Sequence, residues 1–185
     1  MSSTLLASQH AAGPARTPLP PSEPAQELAD AFRAAMAALA APVTIVTCYD
    51  DRGAPRGLTA SAVASLSLTP PLFLVCLDRG SRTHDTLIGA EAFAVHLLGP
   101  GDEHLVGRFT RPAEHRFEDV PLVPDAHPAP ILRDASLTLR CVRHDLLDGG
   151  DHTILVGRVT DVEGEPARAG GLVWHRRGFA HARRP

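Results

Sequence analysis

Short runs of β-branched and apolar residues recur along most of this 185-residue chain, and little of the sequence between them has helical spacing. The run at 43–49 leads through a turn cluster at 50–53 into 56–60, which predicts a β-hairpin. Further strands are predicted at 72–77, 93–98, 137–143, 153–162 and 172–175. Short helices are expected near 83–89 and 102–109. Six or seven strands with so few helices favour a closed or nearly closed barrel over a sheet built from βαβ units.

The N-terminal part of the chain has a different composition. Residues 1–21 are rich in proline and alanine and can bury little apolar surface, so we expect a mobile tail. A helix is predicted next, with Ser22 as a possible N-cap and Pro24 in the first turn, and we expect Pro42 to end it. Its apolar residues at helical spacing are Leu28, Phe32, Met36 and Leu39. We therefore divide the chain into a tail and one folded domain at 22–185.

The composition excludes several classes of function. All 18 basic residues are arginine, so a lysine Schiff base, a phosphate-binding P-loop lysine and a lysine general base are all excluded. A net charge of -3 gives no reason to expect a nucleic-acid partner. No stretch approaches the roughly 20 apolar residues of a membrane span, and the N-terminus lacks the pattern of a signal peptide. We expect a cytoplasmic protein with no membrane partner.

The cysteines and histidines give no support for a metal site. Cys48, Cys76 and Cys141 are odd in number, widely spaced and set in apolar runs, which indicates buried free thiols in a reducing compartment. No His-x-x-x-His or Cys-x-x-Cys pair occurs, so we predict no metal. A Gly-x-Ser-x-Gly elbow and a Gly-x-Gly-x-x-Gly dinucleotide fingerprint are also absent from the sequence.

The first candidate site is the segment Arg79-Gly80-Ser81-Arg82-Thr83, which follows a predicted buried strand and opens a short helix. Free backbone N–H groups, two hydroxyls and arginine charge would together suit a phosphate. The alternative is that Ser81 is only the N-cap of the helix, with solvated arginines around it.

Two further candidates involve small residues and a histidine. The segment at 58–67 is small and hydroxylated over most of its length, so a flat ring could approach its backbone. It could equally be a tightly packed barrel strand with hydroxyls at solvated positions. His152 follows the turn at 149–151 and could relay a proton or place a cofactor ring, or it could simply be exposed.

The ordered set of segments resembles the flavin reductase-like family of FMN-binding split barrels, which includes reductase components of two-component flavin-dependent monooxygenases. The resemblance runs from about residue 32 to residue 179. Its most specific pieces are Ser-x-Ser-x-x-Pro-Pro-Leu at 65–72 and Gly-Asp-His at 150–152. The other pieces lie at 43–47, 57–62, 93–98, 108–109, 139–141 and 153–159.

The resemblance implies a mainly β fold, a Greek-key split β-barrel with a few short helices, which forms a homodimer with flavin at the subunit boundary. In similar proteins the Thr-Ala-x-x segment meets the isoalloxazine edge, a following serine lies near the ribityl chain, and the 81–83 loop holds the phosphate. His152 is then the candidate catalytic residue, positioned where nicotinamide stacks. The residues implied for cofactor binding are Thr59, Ala60, Ser61, Ala62, Ser65, Ser81, Arg82, Thr83, Phe109 and Phe179.

The activity implied by the resemblance is reduction of FMN or FAD by NADH or NADPH, with the reduced flavin passed to a partner monooxygenase. Two alternatives stay open. The protein could retain its flavin and reduce ferric iron or a quinone, or it could be a non-catalytic flavin- or haem-binding carrier. Ser61 and Val63 stand where family members often have asparagine and phenylalanine, which leaves the choice between FMN and FAD open.

Overall fold

The computed structural model describes residues 26–124, 127–164 and 170–182. The tail at 1–21, Ser22 and Pro24 lie outside these residues. The helices are α1 (Gln26–Ala37), α2 (His84–Gly89) and α3 (Glu103–Phe109), and a 3₁₀ turn covers Ala113–His115. The strands are β1 (Ala41–Pro42), β2 (Thr44–Tyr49), β3 (Pro55–Ala60), β4 (Val63–Leu68), β5 (Pro71–Asp78), β6 (Ala92–Leu97), β7 (Leu137–Gly149), β8 (His152–Gly164), β9 (Gly171–His175) and β10 (Gly178–Ala182). None of the helices in the described residues is long and apolar enough to cross a membrane.

Most strands belong to one seven-stranded antiparallel sheet with the order β3-β2-β6-β7-β8-β5-β4. A smaller sheet has the order β1-β9-β10. The two edge strands of the large sheet, β3 and β4, are joined by only Ser61 and Ala62. The Ala62 carbonyl also accepts a hydrogen bond of 2.8 Å from the Cys76 N–H in β5. The two edges of the sheet therefore lie close together. The expectation of a mainly β fold with few helices is confirmed by the ten strands and three short helices of the described residues.

The predicted hairpin at 43–60 is confirmed as β2 and β3, which pair from Thr44↔Ala60 to Tyr49↔Pro55. Asp50 organises its turn: Oδ1 accepts the N–H groups of Arg52 and Ala54, and Oδ2 accepts a hydrogen bond from Arg56 Nε. These bonds to the charged form lower the pKa of the Asp50 carboxyl, with the bond from Ala54 as the largest cause.

Three expectations need correction. Helix α1 ends at Ala37, so Pro42 does not end it: Pro42 pairs with Val173 in the small sheet. The last turn of α1 closes through the bond from the Leu39 N–H to Met36 O, and Arg176 N–H caps the Ala37 carbonyl. The strand predicted at 137–143 continues to Gly149, and three strands, β1, β4 and β10, form outside the seven that were predicted.

Strand β2 shows how the core is built. Its residues 44–48 are buried, and alternate side chains enter two different apolar clusters. Val46 packs in a cluster with Val75 and Phe93, whereas Ile45 packs in a second cluster with Phe109. The prediction of buried free thiols is confirmed for Cys48 and Cys141, whereas Cys76 is a free thiol that is only partly buried. Burial raises the pKa of the Cys48 and Cys141 thiols to about 12.

One polar group lies inside this core. His96 is fully buried, and its Nε2 lies 3.1 Å from Thr47 Oγ1 while its Nδ1 lies 2.9 Å from Thr138 Oγ1. Because the Thr47 hydroxyl donates to Pro130 O at 2.6 Å, it must accept from His96, so the proton is on Nε2 and Nδ1 accepts from Thr138. Desolvation lowers the pKa of His96 to about 3, so the folded protein keeps it neutral.

We expect this histidine to make stability depend on pH. A histidine in the unfolded chain takes up a proton below about pH 6.5, which the folded protein resists, so stability is full above that pH and is lost towards about pH 3. By about pH 5 the loss from this group is roughly 2 kcal/mol. Urea unfolding of the wild type and of His96→Gln, measured from about pH 8 to about pH 5, should show the two converging as the pH falls. A difference that stays constant over that range would contradict the buried neutral histidine.

Candidate functional site

A cavity of about 370 Å³ lies beside the link between the two edges of the large sheet. It is bounded by β3 and the link, by the end of β5, by the end of α3 and by the turn between β7 and β8. Its lining residues are Leu58, Thr59, Ala60, Ser61, Ala62, Cys76, Leu77, Asp78, Ser81, Phe109, Thr110, Arg116 and His152. The carboxylate, guanidinium, imidazole and hydroxyl groups in this set make the cavity markedly polar.

A second cleft, of about 430 Å³, adjoins the first and shares Thr59, Ser61 and Thr110 with it. The small sheet contributes Trp174 and Phe179, whose rings meet edge to face with centroids 5.2 Å apart. The remaining lining residues are Val43, Glu103, Val106 and Gly107. An apolar cleft next to a polar cavity suits a ligand with a flat ring and a polar chain.

The structure brings most of the sequence-predicted site residues together. Those that line the polar cavity are Thr59, Ala60, Ser61, Ala62, Ser81, Phe109 and His152, and Phe179 lines the apolar cleft. Three candidates line neither. Ser65 is exposed on β4, Arg82 is exposed, and Thr83 is buried.

Thr59 at the shared wall has an unusual side chain. Its Oγ1 is buried and has no hydrogen-bond partner among the described residues. A buried hydroxyl without a partner is costly, which indicates a position completed by a ligand. Ala60, next in the chain, packs its side chain in the core, so it can meet a ligand mainly through its backbone.

The loop at 79–83 offers fewer free amides than its sequence suggests. Gly80 N–H donates to Asp78 Oδ1 at 2.8 Å, Ser81 N–H to Asp78 O, and Thr83 N–H to Ser81 Oγ at 3.3 Å. Of the loop amides, that of Arg82 is the one without a partner among the described residues. The N-cap position of α2 is Thr83, so the interpretation of Ser81 as the N-cap is wrong.

His152 is held at the turn between β7 and β8, where Gly150 has a φ of +76° that favours glycine. The His152 ring lies with Nδ1 2.7 Å from Asp151 Oδ1, and this bond is the main reason that the pKa of Asp151 is lowered. Arg79 fixes the turn by donating to His152 O and, at 2.6 Å, to Asp148 Oδ1. Nδ1 is therefore the ring atom that donates to the carboxylate.

Arg116 is a cavity residue that the sequence reasoning missed. Its Nη1 donates to Gly57 O at 2.7 Å and to Thr83 Oγ1 at 3.2 Å, and its Nε donates to Arg111 O at 2.9 Å. It follows the 3₁₀ turn in a stretch without strand or helix periodicity, and nothing in the sequence separates it from the other arginines. Trp174 and Glu103 of the apolar cleft were missed as well. No group of residues suited to a metal ion occurs in the part of the chain that the structure describes.

A family model described as "Flavin reductase like domain" matches residues 36–183. The chain belongs to this flavin reductase family. The matched range contains every residue that lines the two cavities.

Curated members of the flavin reductase family resemble the chain over most of its length. A probable flavin reductase of Rhizobium meliloti (strain 1021) is 38% identical over 149 residues, which cover 80% of this chain and 47% of that protein. The reductase component of a 4-nitrophenol 4-monooxygenase/4-nitrocatechol 2-monooxygenase of Rhodococcus opacus is 38% identical over 150 residues, which cover 81% of this chain and 79% of that one. The chain spans about half the length of two of its curated relatives, 47% and 56%.

A solved flavin reductase family structure has the same fold. The NADH:FAD oxidoreductase of Streptomyces globisporus C-1027, in complex with NAD and FAD fragments, is similar with a TM-score of 0.76 at 31% identity. The similarity covers 83% of this chain and 92% of that one.

Proposed function

We propose that this chain is an NAD(P)H:flavin oxidoreductase that reduces FMN or FAD and supplies the reduced flavin to a partner monooxygenase. The observation that carries the proposal is the meeting of the Thr59–Ala62 segment, Ser81 and His152 at one cavity in a member of the flavin reductase family. The name of the Rhodococcus opacus relative supports the oxygenase partner, and that of the Streptomyces globisporus enzyme supports NADH and flavin as substrates.

The residues present fit a flavin nucleotide. Thr59 lines both cavities, and its unpartnered Oγ1 would gain a hydrogen-bond partner from the edge of a heterocyclic ring bound there. The apolar cleft with Trp174 and Phe179 suits the ring system, and the polar cavity with Ser81 suits the phosphate-bearing chain.

When bound, the flavin supplies the redox chemistry, since it accepts a hydride from the nicotinamide. The protein then needs to align two flat rings and exclude water, and it needs no strong acid or base. The backbone of Thr59–Ala62 orients the ring edge, and the aromatic pair of the cleft keeps water out. His152, which lines the polar cavity, positions the nicotinamide against the flavin ring.

The first experiment is the initial rate of NADH and NADPH oxidation by the purified full chain with free FMN and free FAD. We expect rapid oxidation that depends on added flavin. The rates with the four pairs then show which flavin and which nicotinamide nucleotide the protein prefers. No oxidation with any pair would contradict the proposal and favour a carrier. Flavin that stays with the protein through ultrafiltration and turns over in place would contradict its transfer to a partner and favour reduction of another acceptor.

We expect His152→Ala to act mainly on the nicotinamide. Loss of the ring that positions it should raise the KM for NADH about 5- to 10-fold, with a smaller effect on kcat and on flavin affinity. The matched control is His144→Ala, because His144 is exposed on the same hairpin and lines neither cavity. Unchanged nicotinamide parameters in His152→Ala would show that this role is wrong.

We also propose that the fold is a split barrel that forms a homodimer, with the domain at 22–185 and the tail at 1–21. The short link between the edges of the large sheet supports a barrel. Exposed apolar side chains along α1 and β4, including Phe32 and Leu68, support an interface. Light scattering during size exclusion should give twice 19.6 kDa, and a monomer mass would contradict the dimer. The free thiols support a cytoplasmic location.

A further inference from the structure

Arg116 differs in its surroundings from the other arginines that the structure describes. The other half-buried ones each have a carboxylate partner: Arg56 pairs with Asp50, Arg108 with Asp119 and Arg140 with Glu163. The described arginines that lack such a partner are exposed, except Arg116. Arg116 is therefore a half-buried cation without a carboxylate within ion-pair distance among the described residues.

The hydrogen bonds of Arg116 fix its guanidinium without neutralising it. Nε and Nη1 donate to three neutral oxygens, those of Arg111, Gly57 and Thr83, while Nη2 has no partner among the described residues. Burial lowers the pKa of the Arg116 guanidinium, and Glu114, which forms no ion pair with it, acts in the opposite direction. A partly desolvated charge held in one orientation is stabilised by an anion that completes its donor set.

The anion would bind to Arg116 in the polar cavity. Arg116 lines the polar cavity together with Ser81, and its bond to Thr83 Oγ1 ties it to the 79–83 loop. Thr83 itself is buried and lines neither cavity. Since most amides of the loop are already used, the loop alone provides too few donors for a phosphate, and the guanidinium supplies the missing ones.

We propose that Arg116 binds the phosphate of the flavin nucleotide, with Ser81 as its neighbour and Thr83 as the residue that orients it. This inference extends the proposed function and assigns the anion-binding role of the 79–83 region chiefly to a residue 33 positions beyond Thr83. Riboflavin has the same ring without the phosphate, so it separates binding of the phosphate from integrity of the ring site.

The test is the dissociation constant of FMN and of riboflavin, measured by flavin fluorescence with the full-length wild type, Arg116→Gln and Arg116→Lys. In Arg116→Gln we expect FMN binding to weaken about 10- to 100-fold while riboflavin binding stays unchanged. Arg116→Lys should fall between, because it keeps the charge and loses the planar donor set. The control Arg52→Gln removes the same charge from an exposed turn outside both cavities and should leave both constants unchanged.

Each other outcome is decisive. Equal loss of FMN and riboflavin binding in Arg116→Gln would make Arg116 a structural residue and overturn the inference. A raised KM for NADH, measured with riboflavin as acceptor and with FMN affinity unchanged, would assign Arg116 to the nicotinamide dinucleotide and overturn it too. If the wild type bound neither FMN nor riboflavin, the proposed function itself would fail, and the inference with it.

Discussion

The Ser61→Trp variant is expected to lose flavin binding and flavin-dependent NAD(P)H oxidation almost completely. Ser61 lines both the polar cavity and the apolar cleft, so an indole at this position would occupy the volume where the two join. We expect flavin affinity to fall at least about 100-fold, equivalent to about 2.7 kcal/mol of binding free energy. Fluorescence titration with riboflavin is the most direct measurement, because it reports the ring site alone.

The matched control for this variant is Asp51→Trp. Asp51 is exposed in the turn between β2 and β3 and lines neither cavity, so the substitution adds the same side chain outside the site and away from β4. Thermal unfolding of both variants should resemble that of the wild type, since Ser61 is exposed too. Normal riboflavin affinity in Ser61→Trp would show that the flavin site lies outside the two cavities.

The second large effect is expected in the core, at Gly157 of β8. A Cβ at this position would overlap the Phe93 ring, with 2.9 Å to its Cε1, and would lie 3.0 Å from the Cys141 Cβ. Phe93 is completely buried and cannot move aside without displacing its neighbours. We therefore expect Gly157→Ala to lower the free energy of unfolding by about 1–3 kcal/mol.

Urea unfolding measures this effect, and two further variants define its cause. Gly89→Ala places a Cβ at the end of α2 with no atom within 4 Å, so its stability should stay within about 0.5 kcal/mol of the wild type. The Phe93→Leu substitution should recover part of the loss when combined with Gly157→Ala, because it removes the overlapping ring atoms. Strict additivity of the two substitutions would show that the ring is not the cause.

The strands that sequence reasoning found are those with a local apolar pattern. The runs at 72–77 and 93–98 are continuous and apolar, because β5 and β6 are central strands of the large sheet. The extension of β7 from Arg143 to Gly149 escaped prediction because its side chains are exposed and have no alternation. Its strand geometry comes from pairing with β8, which is a tertiary contact and leaves no local signal.

The site was predictable to a smaller extent. Spacing alone left Ser81 and His152 as separate candidates with ordinary alternatives, and only the resemblance placed them at one site. The structure shows why they lie together: Asp78 at the end of β5 pairs with His152 at the start of β8. Arg116 could not be found in this way, since its position depends on how the segment after α3 packs, including the edge-to-face contact of Phe109 with Phe117 at 5.1 Å.

The short link at Ser61 and Ala62 constrains how proteins of this design can diverge. These two residues join the two edge strands of the large sheet, and both line the polar cavity. An insertion there would separate β3 from β4 and would also deform the pocket. A change of length at this point therefore affects folding and ligand binding together. New ligand preferences must instead arise in segments that leave the sheet intact, such as 79–83 and 110–116. Homologues with different nucleotide preferences should therefore vary in length in those loops and keep the link at two residues.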